Sequence, residues 1–264
     1  MRAAGVPTAL CALAVLGGSV NTPAEAQSIA YIQQVGQQHR AEIVQESSPS
    51  SSALIAQRGA FHDHRIAQRN GSDNYAAIDA RGNPGGGATA GDAGSISQSG
   101  AHQTALTFSA GSGNDFSIDQ SGGDGANLAA LVQTGRRNRA TVEQSNSAPP
   151  SAAGGATGAS GFAAAARGLD FGGSGLASQI QGMALGSANA TLQVQAGTDN
   201  TASVSQSGQG NLAIQTQIGN GNTMSGAQVG DGNTLVHTQV GNGIVGPDIV
   251  QSGHQSITIT QIKP

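Results

Sequence analysis

Asn200-Thr201-Ala202-Ser203-Val204-Ser205-Gln206-Ser207-Gly208 is the stretch whose reading decides the fold. Asn, Ala, Val and Gln occupy alternate positions. Successive side chains of a β-strand point to opposite faces, so these four share one face. The Thr and Ser residues between them suit a solvated face. The Gly that follows permits positive φ and a tight reversal. Read this way, the stretch is a strand of about seven residues followed by a turn of about four.

The same unit recurs in both directions. Gln195, Gln206, Gln217, Gln228 and Gln239 stand eleven residues apart, and six residues before them come Asn189, Asn200, Asn211, Asn222 and Asn233. Gly197, Gly208, Gly219, Gly230 and Gly241 mark the turns. Upstream, Asn138 to Gln144 is a full match, and Asn127 to Gln133 and Asn114 to Gln120 fit the pattern. Gln34 and Gln45 are again eleven apart, as are Gln57 and Gln68, with His39 and His62 where Asn would stand. Gly36, Gly59, Gly100 and Gly135 take the turn positions here. The spacing from Gln251 to Gln261 is one residue short and that from Gln120 to Gln133 two residues long, and about seventeen units run along the chain. In the unit ending at Gln217, Leu212 and Ile214 fall on the nominal outer face. That reads either as contact with a neighbouring molecule or as a local change of register.

Two units make a rung of 22 residues, and rungs stack at about 4.8 Å. The predicted fold is therefore all-β, a β-solenoid with two short strands per rung. Stacking sets Gln over Gln and Asn over Asn, so each buried carboxamide donates to and accepts from its copies. Strict two-residue alternation with many Gly and few Leu excludes amphipathic helices.

Composition agrees with a repeat and excludes a conventional layered core. Gly is 41 of 264 residues, aromatics are 3%, charged residues are 10% and the net charge is −4. Large side chains to bury are scarce, and the chain is too neutral to be a charged disordered tail. Residues 1–26 read as an export signal: Arg2, the short apolar stretch from Ala9 to Gly18, and an Ala24-Glu25-Ala26 cleavage site. Cys11, the one cysteine, would leave with it, so the mature chain would hold no disulfide and no thiolate metal site. No further apolar run reaches the roughly 18 residues of a membrane helix, so no transmembrane segment is expected. The rest divides into a repeat block at 27–144 with a flexible loop at 81–94, a low-complexity linker at 145–175 with a short helical run at Phe162 to Arg167, and a second block at 176–264. The first block carries the scattered charges. Because charges oppose self-stacking, the C-terminal block is expected to form fibres faster.

The unit resembles the repeat of curlins, the subunits of bacterial curli fibres, in which Gln-x-Gly-x-x-Asn-x-Ala leads to a further Gln. The match is direct at Gln133-x-Gly135-x-x-Asn138-x-Ala140, at Gln195-x-Gly197-x-x-Asn200-x-Ala202 and at Gln206-x-Gly208-x-x-Asn211-x-Ala213. The resemblance implies export through the outer membrane by a secretion pore, and assembly with itself and other curli-type subunits into extracellular amyloid. It also implies a role in biofilm matrix and adhesion. The chain is long for a curlin, carries a large linker and is poor in aromatics.

Other chemistry finds little support. Gly241-Asn242-Gly243-Ile244-Val245-Gly246 matches the dinucleotide fingerprint, but Pro247 and the flanking strands refuse the helix that motif needs. The histidines lack the spacing of a helical metal pair. His39 and His62 read as substitutes for the repeat Asn, and His62 and His64 share one strand face and could bind a metal weakly. No nucleophile elbow occurs, and the carboxylates show no repeated pairing of the kind a polysaccharide hydrolase uses. The basic turn Arg136-Arg137-Asn138-Arg139 sits in an acidic chain without stacking aromatics, against nucleic-acid binding. The expectation is a structural subunit with no enzyme activity and no cofactor. The alternative is a monomeric solenoid adhesin or binding module.

Overall fold

A computed structural model describes residues 28–82, 91–122, 127–146 and 189–264. The expected helical run at Phe162 to Arg167 and the expected export signal lie outside the described residues. Seventeen strands alternate between two sheets. One holds the odd-numbered strands: β1 (Ile29–Gln37), β3 (Ser52–Ala60), β5 (Tyr75–Gly82), β7 (Thr104–Ser112) and β9 (Leu128–Arg136), then β11 (Ala190–Thr198), β13 (Leu212–Asn220), β15 (Thr234–Val240) and β17 (Ser256–Ile262). The other holds the even-numbered strands: β2 (Arg40–Glu46), β4 (Asp63–Arg69), β6 (Ala93–Ser99) and β8 (Asp115–Gly122), then β10 (Arg139–Asn146), β12 (Thr201–Ser207), β14 (Thr223–Val229) and β16 (Val245–Ser252). We call them sheets A and B. Every pairing is parallel and joins a strand to the one a full rung away. The fold is a two-sheet β-solenoid, as the alternation predicts.

Register follows the repeat. Ala190 pairs with Leu212, Leu212 with Thr234 and Thr234 with Ser256. Where the spacing lengthens, the excess is placed between strands and not within them. Asp63 pairs with Ala93, so the register between β4 and β6 holds across a spacing of thirty residues. Leu128 pairs with Ala190 and Arg139 with Thr201, which makes the rungs before and after residues 147–188 immediate neighbours. Of the loop expected at 81–94, residues 83–90 lie outside the described residues and both ends belong to strands. Arg81 and Gly82 complete β5, and Ala93 and Gly94 open β6, because both ends find neighbours in register. The linker expected to start at 145 is likewise trimmed, since Ser145 and Asn146 pair with Ser121 and Gly122 of β8.

Inward side chains from the two sheets interdigitate. Ile55, Ile66, Ile78, Ile96, Phe116, Ile118, Leu131 and Val142 form the apolar interior of the earlier rungs, and Val204, Ala213, Leu235 and Ile249 that of the later ones. Leu212 and Ile214 do not mark a change of register, because Gln215 and Gln217 beside them remain inward and paired with Gln193 and Gln195. Leu106, Ala130, Leu192 and Ile214 form instead one column on the outer face of sheet A, and Leu192 is only 2% exposed.

Turns use backbone conformations that exclude most side chains. Gly197 has φ +129°, and a Cβ there would lie 1.8 Å from the carbonyl oxygen of Gly219 in the next rung. Close rung spacing and positive φ both demand glycine at that place. Gly94 serves another purpose. A Cβ on it would meet the Phe116 ring at 2.4 Å, so the missing side chain makes room for the largest residue of the interior.

Candidate functional site

Columns of stacked side chains occupy the Gln and Asn positions of the repeat in each of the two sheets, one of them interrupted. In sheet B the Gln column is continuous. Gln45 donates through Nε2 to Oε1 of Gln68, Gln68 to Gln98, Gln98 to Gln120, Gln120 to Gln144, Gln144 to Gln206, Gln206 to Gln228 and Gln228 to Gln251, at 2.7–2.9 Å. The second amide hydrogen crosses to a backbone carbonyl of sheet A: from Gln206 to Ala190, and from Gln228 to Leu212. Each carboxamide thus fastens its rung to the next and one sheet to the other. Gln98 belongs to this column although the eleven-residue count passes over it. Its 22-residue distance from Gln120 is the signal that finds it.

In sheet A the column breaks. Gln34 donates to Gln57, and Gln133, Gln195, Gln217, Gln239 and Gln261 form a second run. Between them Ala80 and Ser109 hold the Gln position. Gln57, lacking an acceptor above it, bonds to Nδ1 of His64 at 2.8 Å and to the Arg40 carbonyl. At the far side of the gap, Gln133 Oε1 has no hydrogen-bond partner among the described residues. The C-terminal rungs gain a further column at the Val position, where Gln193 donates to Gln215 at 3.0 Å. Sequence reasoning missed this pair, although its 22-residue spacing is visible.

The Asn columns run the other way. In sheet B the backbone N–H of Asn138 donates to Oδ1 of Asn114, Asn200 to Asn138, Asn222 to Asn200 and Ile244 to Asn222. In sheet A, Asn211 donates to Asn189 and Asn233 to Asn211. Asn127 takes the same position one rung before Asn189 and donates to the Ser121 carbonyl. Side-chain amides of Asn138, Asn200 and Asn222 also reach the carbonyls of Gly197, Gly219 and Gly241, the turn glycines of the following rung. The other turn glycines, Gly36, Gly59, Gly100, Gly135, Gly208 and Gly230, also have positive φ. Gln carbonyls therefore face the N-terminal end and Asn carbonyls the C-terminal end, so the two sets of amide dipoles oppose each other.

Histidines replace Asn at the start of sheet B with the same bonding. The backbone N–H of His62 donates to His39 Nδ1 at 3.4 Å, and that of Asp92 to His62 Nδ1 at 3.0 Å. Each ring's Nε2 meets the carbonyl four residues earlier, Val35 for His39 and Arg58 for His62, as Asn138 Nδ2 meets Thr134. The neutral imidazole with its proton on Nε2 reproduces both halves of the carboxamide. Asp92 reproduces the accepting half, taking N–H of Asn114 and the hydroxyl of Ser109. Burial raises the Asp92 carboxyl above its ordinary range, while these hydrogen bonds work the other way. His64 lies at the Ala position, 5.9 Å from His62 and 5.5 Å from the Phe116 ring. Burial pulls its imidazole down to about 3, and the neighbouring His62 and His39 push in the same direction. A buried neutral imidazole could ligate a metal, but no group of three His, Cys, Asp or Glu fit to hold one occurs among the described residues.

The basic turn is accounted for locally. Arg137 makes a two-pronged pair with Asp199 at 2.6 and 2.7 Å, and Arg139 lies 3.6 Å from Asp115. A shallow groove of about 310 Å³ on the outer face of sheet B is bordered by Glu143 and Asp248. These stand on β10 and β16, three strand steps or about 14 Å apart, wider than the separation glycosidase carboxylates use. No described helix is long and apolar enough to cross a membrane.

A parallel solenoid whose interior polar groups are spent on holding rung to rung is the architecture of a structural repeat protein. Residues 197–225, which span β12 and β13, match the family model described as the curlin associated repeat. That segment of the chain is similar to the curlin associated repeat. No match was found among the curated proteins.

Proposed function

We propose that this chain is an exported structural subunit that assembles by rung-on-rung templating into extracellular amyloid fibres of a biofilm matrix. The observation that carries the reading is the direction of the Gln columns. Every Gln-to-Gln bond is donated toward the C-terminal end, so each Gln column has an accepting sense toward the N-terminal end and a donating sense toward the C-terminal end. A second copy added head to tail continues the column, while head-to-head contact sets acceptor against acceptor. Edge strands with unpaired backbone groups supply the rest of the driving force. Other curli-type subunits and an outer-membrane secretion pore are the partners such a role requires, and the cell surface is its location. Purified chain diluted from denaturant should form fibres in a concentration-dependent manner, with a meridional reflection near 4.8 Å. A monomer that persists at high concentration without that reflection refutes the proposal and leaves the solenoid adhesin.

A further inference from the structure

The two sheets do not present equal edges. Sheet A ends in β1 and β17, both regular, both without a charged residue. Extending the Gln column by one rung sets Gln261 of one copy against Gln34 of the next. In that register Ile262 lies beside Val35, which are 72% and 55% exposed, and Thr258 beside Tyr31. An apolar pair is covered and nothing repels.

Sheet B ends in β2 and β16, and β16 is irregular. Val245 pairs with Thr223 and Asp248 with Ser225, so Gly246 and Pro247 together face the single residue Met224. A bulge on an edge strand disrupts the next ladder, and Pro247 removes a backbone donor. The column is also closed there. Gln251 spends its two amide hydrogens on the carbonyls of Thr234 and Gln255, at 2.8 and 3.2 Å, where Gln228 gives one to the next glutamine. Charge adds to this. Setting Gln251 against Gln45 brings Asp248 over Glu42, whereas inside the chain Glu42 faces Arg65 and Glu46 faces Arg69. Like charges directly opposite destabilise a strand pair.

Resting on the fibre reading above, we propose that copies of this chain join through sheet A alone, β17 of one on β1 of the next. Sheet A has nine strands and sheet B eight, so this junction leaves one strand place empty between β16 and the next β2. The irregular, charged edge of β16 disfavours the rival junction of β16 on β2, which would displace β17. The sheet B edge then acts as a guard against the wrong register.

The test uses the full chain with Cys11→Ser and two pairs of engineered cysteines, each directly opposite in one of the two mutually exclusive junctions. One pair is Gln33→Cys with Thr260→Cys in sheet A; the other is Val44→Cys with Val250→Cys in sheet B. Fibres are first scored by diffraction and then oxidised, and disulfide-linked multimers are counted after denaturation. The sheet A pair should link at least about tenfold more than the sheet B pair, since opposed strands come close to disulfide reach and separated ones do not. Deleting Pro247 together with Asp248→Lys should raise linkage of the sheet B pair and lower that of the sheet A pair, since the two junctions compete. Diffracting fibres that link through both sheets equally, through sheet B alone or through neither overturn the junction while leaving the fibre reading intact. Failure of the parent chain to form fibres at all removes the fibre reading, and the junction with it.

Discussion

Gln206 shows what a single ladder residue does. Its carboxamide accepts from Gln144 and Thr191 and donates to Gln228 and to the Ala190 carbonyl. Gln206→Leu adds apolar burial but strands these partners in a site that water does not reach. At about 1–3 kcal/mol per unsatisfied group, a net loss of roughly 2–4 kcal/mol is expected, read as a lower urea midpoint. Unchanged stability and unchanged assembly together would show the column to be dispensable. His64 predicts a pH response. Its folded imidazole titrates near 3 and the ordinary value is 6.5, so the unfolded chain binds the extra proton between those limits. Stability is then fully present above about pH 6.5 and falls toward pH 3, by up to about 1.4 kcal/mol per pH unit from this group. Protection factors of residues 40–69, taken against the intrinsic exchange rate at each pH, should fall from pH 7 to pH 4.5, and His64→Leu should reduce that fall. Equal protection at both pH values refutes it. His39 and His62 were legible as Asn substitutes from their place in the beat. His64 was not, because it occupies the Ala position and its burial depends on Gly94 leaving space one rung away.

At the scale of the strand and its turn, the limiting quantity is the distance between rungs. Gly197→Ala puts a methyl group 1.8 Å from the Gly219 carbonyl and asks a non-glycine residue for φ +129°. A cost of at least about 2 kcal/mol follows from the backbone strain alone, and the clash adds to it. A variant with an unchanged unfolding midpoint would contradict the rung spacing. Strand boundaries were partly legible. The alternation places β10, β12 and β14 within a residue or two, because those strands carry clean polar and apolar faces. It fails at β5 and β7, where Ala80 and Ser109 take the Gln position and only pairing with β3 and β9 identifies the strands. It fails also at β13, whose outer face carries Leu212 and Ile214 beside the inner Gln215 and Gln217. There both faces are apolar in part, and the period by itself does not say which one is inside.

For the whole molecule, the pairing of β9 with β11 and β10 with β12 joins the two repeat blocks into one stack. The charges of the first block do not simply oppose stacking. Arg40 faces Asp63, Arg65 faces Glu42, Arg69 faces Glu46 and Arg139 faces Asp115 on successive rungs. All these pairs are exposed and each contributes little. Their repulsive partners appear only at an open edge such as β2. Fragments 28–146 and 189–264 compared in aggregation assays therefore report on edges, and the C-terminal fragment is expected to show the shorter lag. Equal or reversed lag times would count against the assignment of β2 as the charged edge.

The order of residues alone determined the strand period, the 22-residue rung, the turn glycines and the stacking of Gln on Gln, because each follows from spacing along one chain. Only the tertiary structure decided where the columns break, that Asp92 completes the Asn column, that an apolar column lies on the outer face of sheet A, and that one edge strand is irregular while the other is regular. Those features depend on which residues meet across rungs of unequal length. Spacings that vary between 22 and 62 residues hide such meetings until the backbone pairs them.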